Sequence, residues 1–152
     1  MATKKRIRKK KDANGNLILP EGYKPGDDEP FMNEFQLEYF RQKLLSWKAE
    51  ILESTKVTIQ HLQAETEKHP DIADRATSES ERSIELRTRD RQRKLVSKID
   101  EALQRIANGE YGFCEDSGEP IGLNRLDARP IATLTLEAQE RHEQREKVFR
   151  DD

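Results

Sequence analysis

Residues 32–51 read MNEFQLEYFRQKLLSWKAEI, and this stretch decides the fold. Asn33 is a good helix N-cap, and Gln36 stands three residues later, where it can complete a capping box. Met32 and Leu37 occupy the two positions of a hydrophobic staple. Apolar residues recur at alternating spacings of three and four, as in a coiled-coil seam: Leu37, Phe40, Leu44, Trp47 and Ile51. The stretch predicts a long helix with one apolar face.

A second helix is predicted between two stop signals. The first helix must end near His69, because Pro70 lacks an N–H and restricts the residue before it. Asn108-Gly109 supplies the stop for a helix of roughly residues 73–107. Its apolar positions are Ile84, Leu95, Ile99, Leu103 and Ile106.

If the two helices pack antiparallel, the position numbers of any two residues that face each other add up to the same value. Five apolar pairs share the sum 143: Leu37–Ile106, Phe40–Leu103, Leu44–Ile99, Trp47–Val96 and Ile59–Ile84. This register places the turn at Asp71 and Ile72, although it sets Ile51 against Gln92. We therefore predict a helical hairpin with an exposed acidic tip at residues 69–76.

The outer part of the hairpin is expected to depend on charge pairs. Between Leu62 and Ile84 only four residues are apolar, so little seam is left to hold this stretch. Ion pairs spaced four residues apart on one helix contribute a few tenths of a kcal/mol each. The predicted pairs are Glu85–Arg89 and Asp90–Lys94.

Charge is unevenly distributed along the 152 residues. Residues 4–11, KKRIRKKK, hold seven of the 28 basic residues and no acid, so the remainder carries 21 basic against 30 acidic residues, a net charge of −9. An acidic body argues against DNA wrapping as the main activity, because phosphate neutralisation needs Lys and Arg on the docking face. With 38% charged and 33% hydrophobic residues, a large compact core is not expected.

Residues 1–30 show no sustained periodicity and contain several turn-forming residues, so we interpret them as a basic N-terminal tail and linker. A solvated tail is the commoner meaning of such a basic run, with a nucleic-acid-binding arm or a nuclear signal as the alternative. No stretch of the chain is apolar enough to cross a bilayer or to form a signal-peptide core, so a cytoplasmic location is expected. Cys114 is the single cysteine, which fits a reducing compartment.

The C-terminal part of the chain changes character. Residues 111–130 are rich in Gly and Pro and predict a short β-hairpin with its turn at residues 115–118. A last helix of about residues 135–149 is expected to pack against it through Leu134, Leu136, Val148 or Phe149. The predicted fold class is mainly α: a long antiparallel two-helix coiled-coil hairpin over residues 31–109, then a small globular segment with a short β-hairpin and a C-terminal helix over residues 110–152.

The run HPDIADRATSESERSIELRTRDRQRKL at residues 69–95, followed by GEYGFCEDSGEPIGLNRLDARP at residues 109–130, resembles the DksA family of bacterial RNA polymerase regulators. The resemblance extends from about residue 32 to residue 147. It implies a non-enzymatic transcription regulator whose helical hairpin enters the secondary channel of RNA polymerase. It further implies action together with the alarmone ppGpp, destabilising open promoter complexes so that ribosomal RNA promoters are inhibited and some biosynthetic promoters are helped. Neither sequence-specific DNA binding nor membrane binding is expected, and the protein is expected to be a monomer.

The resemblance also assigns roles to individual residues. The tip that acts near the polymerase active centre would comprise Asp71, Asp74 and Ala76. The positions that grip the polymerase would be Arg87, Arg91 and Arg125. The ppGpp-contacting positions would be Leu95, Lys98 and Arg129. Position 139, a lysine in the typical family member, is Gln139 here, so one cation of the alarmone site is missing.

The two tip aspartates have other chemical meanings as well. An Asp near a helix N-terminus is a good cap and is favoured by the helix dipole, so Asp71 or Asp74 is open to a purely structural role. Capping does not require both, and Asp74 is the better functional candidate. Two carboxylates can also bind a metal or act as an acid and base pair, but a protruding tip offers no pocket for either.

The family's zinc site is degenerate in this chain. The four cysteine positions of its two Cys-x-x-Cys pairs correspond to Cys114, Ser117, Thr135 and Ala138. Neutral hydroxyls do not replace thiolates in a structural zinc site, which needs four N or S donors. Together with Cys114, the nearby His142 would supply only two. We predict that no zinc is bound. A small apolar core is expected to replace the metal, formed by Phe113, Ile121, Leu123, Leu126, Leu134 and Leu136.

Three other functions are compatible with parts of this pattern. A coiled-coil adaptor would need an exposed apolar seam on a second face. A nucleic-acid-binding protein would use the basic tail and lose binding when residues 1–12 are deleted. A transcript-cleavage factor would also carry an acidic tip, but its globular segment would differ from residues 110–152.

Overall fold

The computed structural model describes residues 8–66 and 72–150, and the side chains of residues 8–64 and 77–150. Its elements are β1 (Lys10–Lys11), β2 (Leu17–Ile18), α1 (Glu34–Thr66), α2 (Ile72–Asn108), α3 (Leu123–Ala128) and α4 (Leu136–Arg150). They form two compact units. The helical unit is Leu44–Gln104, and the terminal unit combines Met1–Lys43 with Arg105–Asp152. The predicted mainly α fold with two long helices is confirmed.

The first long helix begins where its capping residues predicted. Oδ1 of Asn33 accepts a hydrogen bond from the N–H of Gln36 at 2.9 Å. The returning bond differs from a capping box by one residue, since Oε1 of Gln36 accepts from the N–H of Met32 at 2.8 Å. The side chain of Met32 lies against Gly112, whose missing Cβ would stand 2.8 Å from Cγ of Met32. Gly112, at φ 93, is therefore required for this close approach.

The second long helix ends in a Schellman motif. The N–H of Gly109 donates to the carbonyl of Ile106 at 3.2 Å, and the N–H of Glu110 donates to that of Arg105 at 2.9 Å. Gly109 has a φ of 75°, the left-handed conformation that this motif uses. The predicted stop at Asn108-Gly109 is confirmed.

Within the helical unit, α1 and α2 run antiparallel, but their register differs from the predicted one. Three contacts between side chains set it: Lys48–Asp100 at 2.6 Å, Thr55–Gln92 at 2.8 Å and His61–Glu85 at 2.9 Å. Their position numbers sum to 148, 147 and 146, higher than the predicted 143. Side chains lean toward the N-terminus of their own helix, and in an antiparallel pair this raises the sum for residues that touch.

Burial within the helical unit confirms part of the predicted seam. Among the side chains of this unit that the structure describes, the buried ones are Leu44, Ile51, Leu62, Ile99 and Ala102. The prediction was wrong for Ile84, which is 61% exposed. The charge pairs also differ from those predicted, because Glu85 pairs with His61 and Asp90 pairs with Arg93 at 3.5 Å.

The N-terminal segment contains a small hairpin that the sequence did not predict. Strands β1 and β2 are antiparallel, with Lys10 opposite Ile18 and Lys11 opposite Leu17. Between them, Oδ1 of Asp12 accepts hydrogen bonds from two backbone N–H groups of the turn, each at 2.9 Å. Residues 10–18, which lie within the predicted basic tail and linker, therefore contain a short hairpin that the sequence analysis did not predict.

Residues 110–152 fold around a small core, and they do not contain the full β-hairpin that was predicted. The predicted turn is confirmed by the N–H of Gly118 donating to the carbonyl of Cys114 at 2.9 Å. Its two flanks form only an isolated bridge between Phe113 and Pro120, and the six-residue helix α3 was not predicted. Helix α4 agrees with the predicted last helix to within one residue at each end.

The sequence predicted part of the core of the terminal unit. Its buried apolar residues include Phe40, Tyr111, Cys114, Ile121, Leu126, Ile131, Ala132 and Ala138. Ile121 and Leu126 were expected there, and Leu123 and Leu134 are partly buried. The other two predicted core residues, Phe113 and Leu136, are exposed. Of the four residues predicted to pack the last helix, Leu134 is partly buried, whereas Leu136, Val148 and Phe149 are 55%, 63% and 79% exposed. Ala138 is the residue of α4 that is buried.

Candidate functional site

One face of α2 carries a row of cations. Arg87, Arg91, Lys94 and Lys98 are spaced four, three and four residues apart, so they share one side of the helix. All four are exposed. Within the described ranges 8–66 and 72–150, no ion pair neutralises any of them, although Arg93 on the same helix pairs with Asp90. This face is therefore available to an acidic or anionic partner. We call Arg87, Arg91, Lys94 and Lys98 the cationic row.

The predicted alarmone residues are divided between the two units. Leu95 and Lys98 lie in the helical unit, where Leu95 is half-buried and Lys98 is exposed at the end of the cationic row. Arg129 lies in the terminal unit, directly after α3, and is also exposed. Gln139 is half-buried, and its side-chain amide donates to Oε1 of Glu143 at 3.2 Å.

The predicted acidic tip lies mostly outside the described side chains. Asp71 is outside the described residues altogether. Asp74 and Ala76 belong to the first turns of α2, but their side chains are outside the described part.

Helix α3 and the residue that follows it carry two arginines of the predicted site, Arg125 and Arg129. Nε of Arg125 donates to the carbonyl of Leu134 at 2.9 Å, which fixes the side chain. The N–H of Arg129 closes the helix by donating to the carbonyl of Arg125 at 2.8 Å. Both arginines line a surface depression of about 770 Å³, together with the acidic residues Asp27, Glu119 and Glu137.

A three-residue clamp fixes α3 to the first turns of α1. Nζ of Lys43 donates to Oδ1 of Asp127 at 2.6 Å and to the carbonyl of Asp127 at 2.7 Å. The hydroxyl of Tyr39 donates to the same Oδ1 at 2.9 Å. The hydrogen bond from Lys43 is the main cause that lowers the pKa of the Asp127 carboxyl. We call Tyr39, Lys43 and Asp127 the α3 clamp. The sequence did not predict it, because Asp127 lies 84 residues from Lys43 and 88 residues from Tyr39.

The four degenerate zinc positions lie close together around Cys114. The hydroxyl of Thr135 donates to Sγ of Cys114 at 3.9 Å and accepts from the N–H of Ala138 at 3.2 Å. Burial raises the pKa of the Cys114 thiol, but a hydrogen bond from the side chain of Ser117, with backbone hydrogen bonds from Thr135, Ser117 and Asp116, outweighs burial and lowers this pKa to about 6.

These residues do not fit a zinc ion. Ala138 offers no donor atom, and the hydroxyls of Ser117 and Thr135 are neutral, so Cys114 is the only thiolate. Nε2 of His142 lies 2.7 Å from Oδ2 of Asp116, which directs the ring to this carboxylate. In the described part of the chain, no group of three or more His, Cys, Asp or Glu side chains is arranged to hold a metal.

Two family models match the chain. Residues 36–106 match the N-terminal domain of the DnaK suppressor protein DksA, and residues 109–144 match the prokaryotic dksA/traR C4-type zinc finger. The chain is 65% identical over 136 residues to the RNA polymerase-binding transcription factor DksA of Caulobacter vibrioides, covering 90% of this chain and 96% of the relative. The chain belongs to the DksA family.

Other DksA proteins agree with this assignment. The RNA polymerase-binding transcription factor DksA of Escherichia coli is 42% identical, over 86% of this chain and 85% of the relative. The solved structure of transcription factor DksA2 from Pseudomonas aeruginosa is 44% identical and superposes with a TM-score of 0.73, covering 79% of this chain and 95% of that one. The family resemblance and the fold class predicted from the sequence are thus confirmed. The roles of the individual DksA positions stay predictions.

Proposed function

We propose that this DksA-family chain is a transcription regulator that binds RNA polymerase through its secondary channel and, with ppGpp, modulates open promoter complexes. Its 65% identity over 90% of the chain to a protein named RNA polymerase-binding transcription factor is the observation that carries the proposal. The resemblance implies inhibition of ribosomal RNA promoters and help to some biosynthetic promoters, as part of the stringent response. The protein works in the cytoplasm as a monomer and catalyses no reaction of its own.

The cationic row supports a grip on an acidic surface of the polymerase. Four exposed cations on one helix face, without ion pairs in the described part of the chain, lose no internal partner when they bind. In this proposal Arg87 and Arg91 contact the polymerase from α2, and Arg125 contacts it from α3. Asp71, Asp74 and Ala76 act at the tip, with Asp74 as the main functional carboxylate.

The alarmone proposal uses Leu95, Lys98 and Arg129. Lys98 and Arg129 supply cations of the kind that bind pyrophosphate, and both are exposed. Gln139 cannot supply a third charge, so we propose a weaker response to ppGpp than in relatives with lysine at this position. The chain works without zinc, because its four degenerate ligand positions offer a single thiolate.

Site-specific photo-cross-linking tests the proposed route of binding. A photoreactive amino acid replaces Ala76 in the full chain, which is then irradiated with purified bacterial RNA polymerase. The expected adducts map to peptides around the polymerase active centre. The matched control carries the same amino acid at Gln144, an exposed position on α4, and is expected to label other peptides. Adducts from position 76 on the outer surface of the polymerase, or none at all, would overturn the proposal.

A further inference from the structure

The surface depression lined by Arg125 and Arg129 carries more negative than positive charge. Its acidic residues are Asp27, Glu119 and Glu137, so two arginines stand against three carboxylates, a net charge of −1. Within the described ranges 8–66 and 72–150, none of these five side chains forms an ion pair, so all of them act on an ion that enters the depression. Phosphate groups are bound by cations and backbone N–H groups, and the carboxylates therefore oppose such a ligand.

Asp27 reaches the depression from the N-terminal segment, whereas Glu119 and Glu137 belong to the same part of the chain as the arginines. The N-terminal segment lies beside the α3 clamp. The ring of Tyr23 packs edge-on against that of Tyr39, with 6.3 Å between the ring centroids. The charge of Asp27 can therefore be removed without altering the segment that carries the arginines.

A short turn holds the backbone of Asp27 in place. The N–H of Glu29 donates to the carbonyl of Gly26 at 3.2 Å, which closes the turn around Asp27. Nε2 of Gln36, a fully buried residue, donates to the same carbonyl at 3.4 Å and to Oε2 of Glu29 at 3.2 Å. The hydroxyl of Tyr23 donates to this Oε2 at 2.6 Å. The carboxylate of Asp27 is thus a fixed charge at the depression and not part of a loose tail.

We propose that Asp27 lowers the affinity of this depression for pyrophosphate groups and thereby raises the concentration of ppGpp that the complex with RNA polymerase requires. The inference rests on the proposed function, in which Arg129 contacts the alarmone. A negative charge near a bound phosphate repels it through space, and salt weakens this repulsion. Asp27 and Gln139 act in the same direction, because one adds an anion and the other lacks a cation.

The ppGpp dependence of open-complex lifetime at a ribosomal RNA promoter tests the proposal, with the full chain and purified bacterial RNA polymerase. Asp27→Asn should lower the half-maximal concentration of ppGpp about two- to fivefold at physiological salt, and this gain should shrink as the salt concentration rises. Asp27→Glu keeps the charge and should behave like wild type. Asp28→Asn is the matched control, because Asp28 is the adjacent exposed acid and does not line the depression.

The outcomes separate this inference from the proposed function. If wild type responds to ppGpp and Asp27→Asn needs the same or a higher concentration, the inference is wrong and the proposed function stands. Equal gains in Asp27→Asn and Asp28→Asn would also overturn it, because the effect would then come from net charge. A wild type that does not respond to ppGpp would overturn both. Asp27 is exposed, so its variants should melt at the wild-type temperature.

Discussion

Lys43 holds Asp127 through two atoms: its Nζ lies 2.6 Å from the carboxylate Oδ1 and 2.7 Å from the main-chain carbonyl oxygen of the same residue. The two residues are 84 positions apart in sequence. Asp127 lies in α3, two residues after Arg125 and two before Arg129, so this contact fixes the short segment that carries both arginines. A function that depends on these arginines must therefore depend on the α3 clamp.

Asp127→Asn should weaken the alarmone response more than it weakens folding. Lys43 and Asp127 are partly exposed, with 35% and 56% of their side chains accessible, so the ion pair contributes only about 0–1 kcal/mol to the free energy of unfolding. The ppGpp-dependent change in open-complex lifetime should fall, because Arg129 loses its fixed support. Asp100→Asn is the matched control, since it breaks the Lys48–Asp100 ion pair of the same length in the helical unit. Equal loss of response in both variants would contradict a positioning role for the clamp.

The stability supplied by Asp127 should depend on pH. The pKa of its carboxyl is lowered in the folded protein. Its contribution is therefore fully present above the ordinary Asp pKa of about 3.9 and is lost as the pH falls through the lower folded value. Thermal melting between neutral pH and pH 3 should show a smaller acid-dependent loss in Asp127→Asn than in wild type. Parallel curves would show that this carboxylate does not contribute.

Arg87→Ala and Arg91→Ala should each weaken polymerase binding without changing the melting temperature. Both side chains are exposed, so neither contributes packing to the helical unit. Loss of a charged contact at an interface typically costs roughly 1 kcal/mol or more, which is about a fivefold change in Kd. Arg93→Ala is the control on the same helix, because Arg93 lies off the cationic row and pairs with Asp90. A larger effect from Arg93 than from Arg87 and Arg91 would place the interface on another face.

Gln139→Lys should strengthen the response to ppGpp. Gln139 donates to Glu143 on α4, and lysine at this position adds the cation that the typical family member carries. The concentration of ppGpp needed for half of the maximal effect on open-complex lifetime should fall. Gln144→Lys adds the same charge at an exposed position of α4 and serves as the control. If Gln139→Lys and Gln144→Lys strengthen the response to ppGpp equally, the effect comes from net charge and not from a cation at position 139.

Zinc should be absent from the purified protein, and a chelator should not change its melting temperature. Cys114 is the only thiolate among the four degenerate ligand positions, and four-coordinate N or S ligation is the rule for structural zinc. Elemental analysis and thermal melting with and without chelator measure both points. Tightly held zinc at one ion per chain would refute the prediction.

The spacing of apolar residues predicted the two long helices. It did not predict features that depend on contacts between distant residues or on elements of only a few residues. The seam residues Phe40, Leu44 and Ile99 follow a spacing of three and four, and all three are fully buried. The register was missed because sequence spacing ignores the lean of side chains toward their helix N-terminus. Helix α3 and strands β1 and β2 have six and two residues each, too few to show a period.

The candidate site was accessible to sequence reasoning only through resemblance to a family. The basic composition of this stretch does not distinguish Arg87 and Arg91 from Arg89 and Arg93, which are exposed on the same helix. The spacing of Arg87, Arg91, Lys94 and Lys98 was a signal for the cationic row that could have been read from the sequence. Asp127 carries no such signal, because its role depends on Lys43 and Tyr39 meeting it in the fold.

The lifetime of open complexes at a ribosomal RNA promoter tests the central claim most directly. Purified bacterial RNA polymerase is mixed with wild type, Asp74→Asn or Glu79→Gln, each with and without ppGpp. Glu79 is an exposed acid farther along α2, so Glu79→Gln controls for the loss of one negative charge. We expect wild type and Glu79→Gln to shorten the lifetime, more so with ppGpp, and Asp74→Asn to bind the polymerase but lose this effect. An unchanged lifetime with wild type, at a concentration that saturates the polymerase, would contradict the account.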